Sequence, residues 1–350
     1  MRFPLICLIS ILSVTCSQFI EKPVQFDPGA DPFTRLSDYH FYRGNPADLR
    51  PNDRILPYDL NTPLFTDYAE KLRFVWMPEG VSGTYNDSTV FDLPVGTILI
   101  KNFYYPDDFR QKNGSRNILE TRLLVHVPDG WRGLPYIWND EQTEAYLQVA
   151  GGEKPVQFIN NKGETVRINY LIPNANQCRS CHVQNGKMEP IGPAARHLNK
   201  DFSYNDGQLN QLVRWHESGY LVEIPDTEII PRLSDYLDPS TGSVELRARA
   251  YLDINCRHCH NPLGPAKTSG LFLSSDVENP TALGIMKPPV AAGRGSGGKN
   301  FSILPGNPDD SILLYRMDST EPGIMMPELG RSVVDKEAVQ LIREWIEGMK

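Results

Sequence analysis

Two five-residue strings constrain this chain more than any other feature: Cys178-Arg179-Ser180-Cys181-His182 and Cys256-Arg257-His258-Cys259-His260. Both read Cys-x-x-Cys-His. Together they use every cysteine except Cys7 and Cys16, which lie near the N-terminus. At this chain's content of cysteine and histidine, chance supplies roughly 0.002 of such a string. Two of them therefore set what the surrounding chain must be shaped to hold.

Two thiols three residues apart sit on one helical turn, and the imidazole beside the second thiol lies beneath whatever the thiols grip. That geometry suits covalent attachment of a haem through its two vinyl groups, with the histidine as proximal iron ligand. Cys178, Cys181, His182, Cys256, Cys259 and His260 are thus expected to bind two haem c groups, with His182 and His260 on the iron atoms. A zinc centre built from both pairs would leave the histidines unused. A disulfide or redox dithiol has no need of the adjacent histidine.

The second axial position decides between electron transfer and ligand chemistry. For the second motif the candidates are Met286, Met317, Met325 and Met326. Met326 is preferred because it precedes Pro327 in the loop Gly323-Ile324-Met325-Met326-Pro327, a poor place for mere core filler; Met325 is the rival. For the first motif the candidates are Met188, His197 and His216; the alternative is a site left open or ligated from elsewhere, the group to which Met77 and His126 belong. The glycine-rich stretch around Arg294 and Lys299 lacks phosphate-loop spacing and reads as a loop that offers a cation to a haem carboxylate or none.

Organisation follows from pattern changes along the chain. Met1-Arg2, an apolar run over 3–14 and the small residues Thr15-Cys16-Ser17 read as a secretory signal over 1–17, too short to span a bilayer. A lipid anchor on Cys16 is the alternative, although Ser13-Val14-Thr15 fits that pattern poorly. Residues 18–61, rich in Pro, Asp and Gly, form an expected surface-wrapping segment anchored by Phe33, Tyr39, Phe41 and Tyr42. Residues 62–173 carry strand-like runs at 73–77, 97–104, 119–127, 145–149 and 166–170, which predict an antiparallel sandwich or barrel. Then come an expected first haem module over 174–225, with a helix at 207–217, and a second cytochrome c-like module over 243–350.

In the second module, helices are expected at 244–254 and 335–348. The apolar residues Ala338, Val339, Leu341, Ile342, Trp345 and Ile346 recur at helical spacing, with Ser332 or Asp335 as cap. The fold class expected is α+β multidomain: a β-rich N-terminal unit followed by mainly α haem modules. A net charge of −8 with scattered Lys and Arg leaves no footprint for nucleic acid or an anionic membrane.

Several stretches carry a family resemblance. Pro305-Gly306-Asn307-Pro308-Asp309-Asp310-Ser311, Tyr315-Arg316-Met317 and Met325-Met326-Pro327-Glu328-Leu329-Gly330 resemble the C-terminal cytochrome module of large bacterial haem proteins. With Pro57-Tyr58-Asp59-Leu60-Asn61-Thr62-Pro63-Leu64-Phe65 and Asn176-Gln177-Cys178, the chain from about Leu36 to Ile346 is similar to a family of dihaem c-type cytochromes of unassigned role. The resemblance implies haem ligation at both motifs, Met326 as a ligand, and association with a parallel β-helix protein. It implies no substrate.

Three functions are compatible with these residues. The first is an exported or periplasmic electron carrier that serves a redox partner protein. The second is a dihaem oxidoreductase of peroxidase type with an open first haem. The third is a β-rich ligand-binding module that presents Trp76, Trp131 and Trp138 as stacking surfaces.

Overall fold

Alternating apolar residues on several consecutive segments build an open antiparallel sheet whose strand order is β1-β2-β4-β5-β6-β7. The strands are β1 (Leu56–Tyr58), β2 (Glu70–Trp76), β4 (Ile98–Pro106), β5 (Arg116–Val127), β6 (Gly130–Trp138) and β7 (Ala145–Leu147); the short β3 (Gly83–Thr84) lies outside the sheet. The computed structural model describes residues 21–111 and 114–350, so the expected leader and Cys16 lie outside the described residues.

Both faces of the sheet are covered, which explains the almost unbroken apolar run at Ile98-Leu99-Ile100 in β4. On one face Phe74, Ile98, Ile100, Leu123 and Val125 pack under the N-terminal segment. That segment docks as expected: Tyr39 and Phe41 are buried and stacked, and the Tyr42 hydroxyl donates to Asn102 Oδ1 at 2.8 Å. On the other face Val75 and Leu99 meet Leu198, Leu212 and Trp215. The hairpin β8 (Gly152–Ile159) and β9 (Thr165–Ile172) packs Phe158, Tyr170 and Ile172 on Phe103, Tyr105 and Leu119.

Beyond the sheet come α1 (Ala175–His182), the hairpin β10 (Val183–Gln184) and β11 (Lys187–Met188), and α2 (Ala195–Leu198). A second hairpin, β12 (Asp201–Tyr204) and β13 (Gly207–Asn210), leads into α3 (Gln211–Glu217); β14 (Leu221–Val222) pairs in parallel with β3. The C-terminal part holds α4 (Val244–Cys256), α5 (Pro280–Leu283), α6 (Ile312–Met317) and α7 (Lys336–Glu347). Their buried residues Tyr251, Leu252, Leu313, Leu341, Ile342 and Trp345 form one cluster.

This architecture corrects the expected fold class. Among the described residues there is neither a closed barrel nor a pair of full facing sheets, because β1 and β7 end the sheet without meeting and every other sheet has two strands. Nor do the described residues form a mainly α cytochrome c-like haem module. After the first motif, Asn185 and Gly186 both take positive φ, 46° and 79°, the backbone of a two-residue hairpin turn, so the chain reverses as strand instead of continuing as helix. After the second motif, glycines at positive φ, including Gly270, Gly284, Gly293, Gly297 and Gly306, break the chain into loops and single turns.

A short segment knits the sheet to everything C-terminal of it. Asn61 Nδ2 donates to the Arg196 carbonyl, Thr62 Oγ1 to the Ser234 carbonyl and Phe65 N to Asn255 Oδ1. Asp67 accepts from Ser332 N at 2.6 Å and Val333 N at 3.0 Å.

Candidate haem-attachment sites

The first motif sits on α1, which a reciprocal cap starts: Asn174 Oδ1 accepts from Gln177 N and Gln177 Oε1 accepts from Asn174 N, each at 2.9 Å. The helix packs on β6 where Gly133 removes a side chain. A Cβ there would stand 3.2 Å from Cys178 Cβ and 3.3 Å from Met188 Cε. His182 Nδ1 lies 2.8 Å from the Glu189 carbonyl, a bond that places the proton on Nδ1 and leaves Nε2 as the free donor atom. Burial pulls the His182 imidazole down to about 4, so it is neutral, as a ligand must be.

The second motif is held more firmly. Ser243 caps α4 at Leu246 N, and the turn continues past Cys256 through Cys259 N and His260 N, which both donate to the Cys256 carbonyl. Asp253, one turn earlier, accepts from Arg196 Nε and Nη2 and lies 2.9 Å from His197 Nε2; its other oxygen takes Ser275 N. Burial pushes the Cys256 and Cys259 thiols up, each to about 12. Neither is the activated thiolate of a dithiol oxidoreductase. All four motif cysteines are free of disulfides.

Cys256, Cys259 and His260 open onto one cavity of about 630 Å³, within the roughly 300–1,000 Å³ usual for enclosed organic ligands. Leu271, Leu273 and Leu313 supply apolar walls, and Met326 lines the cavity with Met317. His260 Nδ1 is buried with no hydrogen-bond partner among the described residues. These residues fit a haem: two neutral thiols, a neutral imidazole, a thioether and an apolar enclosure. Met325 and Met286 do not line the cavity, and Met286 is 50% exposed.

The Met326 loop is clamped from behind. Arg331, buried, donates through Nη2 to the Met326 carbonyl at 2.8 Å and the Ser319 carbonyl at 2.8 Å, while Met326 N donates to the Arg316 carbonyl at 3.0 Å. Sequence reasoning missed Arg331 altogether. Its signal lay only in a lone arginine just beyond the Met-Pro loop.

At the first motif Cys178, His182 and Met188 open onto a smaller cavity of about 110 Å³, whereas Cys181 lines the larger one with Cys259. The donor set is present without an equally large enclosure. His197 is not brought to this cavity, since it is committed to Asp253, and His216 Nδ1 lies 3.0 Å from the Leu221 carbonyl. Met77 is core, and His126 stacks on Trp131. Met188 pairs with Val183 on the hairpin that directly follows His182.

Arg294 does not reach the larger cavity but pairs with Glu321, while Lys299 lies over the Tyr315 ring. Arg316 lines the cavity instead. Trp138 is buried with Nε1 donating to Thr121 Oγ1, so it is not a stacking surface. Among the described residues no three His, Cys, Asp or Glu side chains converge as a metal-ligand set. No described helix is long and apolar enough to cross a membrane. Compared with models of protein families, with curated proteins and with solved structures, the chain matches none.

Proposed function

We propose that the chain is an exported dihaem c-type cytochrome that passes single electrons to or from a redox partner protein. The observation that carries this reading is the apolar cavity of about 630 Å³ onto which Cys256, Cys259, His260 and Met326 all open. When bound there, haem iron would supply one-electron chemistry. The protein's own contribution is to hold neutral donors in place, exclude water with leucine walls and fix the thioether through Arg331.

The two motifs touch, as a relay requires. Gln184 Nε2 donates to the His258 carbonyl and Asn185 N to the Leu263 carbonyl, so the hairpin after the first motif is bonded to the turn and loop of the second. The resemblance to dihaem c-type cytochromes of unassigned role agrees with this reading and supplies no reaction.

One observation favours an oxidoreductase with an open first haem. Of the two better-spaced distal candidates, His197 is taken by Asp253 and His216 by the Leu221 carbonyl, which leaves Met188, next to His182's own hydrogen-bond acceptor.

The deciding experiment is haem staining of a denaturing gel, with absorption and EPR spectra of the mature protein in both oxidation states. Two covalent low-spin haems, one lost in Cys256→Ala, support the carrier. One high-spin haem that shifts with peroxide, nitrite or carbon monoxide supports the oxidoreductase. Absence of covalent haem, or full retention of both haems in Cys256→Ala, overturns the assignment at the second motif.

A further inference from the structure

The face of the sheet that meets the first motif carries an unusual row of cations. Arg73 on β2 stands directly opposite Lys101 on β4, and Lys101 directly opposite Arg122 on β5. Lys71, two residues before Arg73, extends the row on the same face. Like charges directly opposite one another destabilise a sheet, so the arrangement calls for an anion.

The carboxylates present cover the row only in part. Glu120, fully buried, takes Arg122 Nε and Nη2 as well as the Tyr170 hydroxyl. Asp59 takes Arg73 Nη1 and is shared with Lys200. Among the described residues no carboxylate pairs with Lys101. Arg73 Nη2 is buried with no hydrogen-bond partner, on a side chain only 4% exposed. An unsatisfied donor on a buried guanidinium destabilises the fold unless a ligand meets it.

Arg73, Lys101 and Arg122 line the cavity of about 110 Å³ onto which Cys178 and His182 open. Its remaining wall is largely apolar, including Leu60, Leu64 and Leu99. Such a wall suits an anion on a hydrocarbon arm better than a bare inorganic ion. In the absence of a ligand, burial and then the charges of Arg73, Lys71 and Arg122 drive the Lys101 ammonium well below its ordinary value. A carboxylate placed there would restore that charge.

We propose that Arg73, Lys101 and Arg122 form a carboxylate-binding site for an organic acid with a short apolar arm. Two sources share this chemistry: the propionate side chains of a haem held at Cys178 and Cys181, and a free short-chain carboxylic acid. In its haem-borne form the inference rests on the attachment proposed above.

The test titrates butyrate, with sulfate as control, calorimetrically into the haem-loaded protein and into the Cys178→Ala/Cys181→Ala variant. Lys101→Met removes the charge at similar volume, and Lys101→Arg retains it. If haem propionates fill the row, only the Cys178→Ala/Cys181→Ala variant binds butyrate; the first haem's potential falls in Lys101→Met and recovers in Lys101→Arg. If a free acid is the ligand, both proteins bind butyrate, about tenfold more weakly in Lys101→Met, with recovery in Lys101→Arg. The site is refuted if neither protein binds butyrate and Lys101→Met leaves the potential unmoved, or if sulfate binds as well as butyrate. Should haem staining find no haem at the first motif, the function proposed there fails, while the butyrate titration still decides this site.

Discussion

The side-chain amide of Gln184 donates to the main-chain carbonyl of His258 at 2.6 Å, joining the hairpin that follows one Cys-x-x-Cys-His string to the interior of the other. The two motifs are therefore one structural unit, built on a sheet on one side and on α4 on the other.

Gln184→Ala should cost about 1 kcal/mol, the usual net value of one such bond, because the His258 carbonyl keeps only the longer bond from Asn261 Nδ2, at 3.4 Å. Equilibrium denaturation in urea checks this. An unchanged midpoint would mean that the backbone bond from Asn185 to Leu263 suffices.

Met326 and Met325 are adjacent in sequence but only Met326 lines the larger cavity. Met326→Ala should abolish the sulfur-to-iron charge-transfer band of the haem-loaded protein and lower that haem's potential; Met325→Ala should leave the band in place. Arg331→Gln, which loosens the clamp on the Met326 carbonyl, should weaken the band without removing haem from a denaturing gel.

Asp253 is buried against Arg196 and His197, and although desolvation pushes its carboxyl up, the His197 hydrogen bond and the Arg196 charge outweigh that and hold it well below the usual range. Such a group stabilises the fold above the ordinary carboxylate pKa and loses that contribution as the pH falls below it. Asp253→Asn should cost about 3–5 kcal/mol by leaving Arg196 unpaired in the interior. Denaturation at neutral pH checks it, and a loss below 1 kcal/mol, roughly the worth of an exposed pair, would contradict it.

Asp335 caps α7 by accepting from Ala338 N at 2.9 Å, yet burial raises its carboxyl to about 6. A folded-state pKa above the unfolded value favours the fold at low pH, and the contribution is lost as pH rises through about 6. Raising the pH from about 4 to 6 should therefore remove about 3 kcal/mol contributed by this group. Asp335→Asn keeps the cap and should flatten that part of the stability profile. An unaltered profile would place the dependence elsewhere.

Local pattern made the regular elements legible. The runs expected at 97–104 and 119–127 became β4 and β5, and the apolar stripe of 335–348 became α7, capped by Asp335, which directly precedes the helix, while Ser332 donates to Asp67. What local pattern missed depended on partners far along the chain. β6 was hidden by Gly130, which takes a positive φ in the turn that starts it, and by Gly133, whose lack of a side chain makes sense only against Cys178 and Met188. The Asn185-Gly186 turn, a sequence signal that was there to be read, redirects the chain away from a helical module. His197 looked like a ligand because nothing near it in sequence announces Asp253. The cation row appears only once register sets Arg73, Lys101 and Arg122 side by side.

The segment from Asn61 to Asp67 also sets the timing of folding. Asp67 completes its contacts with Ser332 across 265 residues of chain, and closing so long a loop must come before its contacts reward it. Sheet and C-terminal helices therefore cannot lock together until almost the whole chain has left the ribosome. Until then the Asp67 carboxylate lacks the Ser332 and Val333 amides that complete its contacts, so the seam between sheet and C-terminal part closes last.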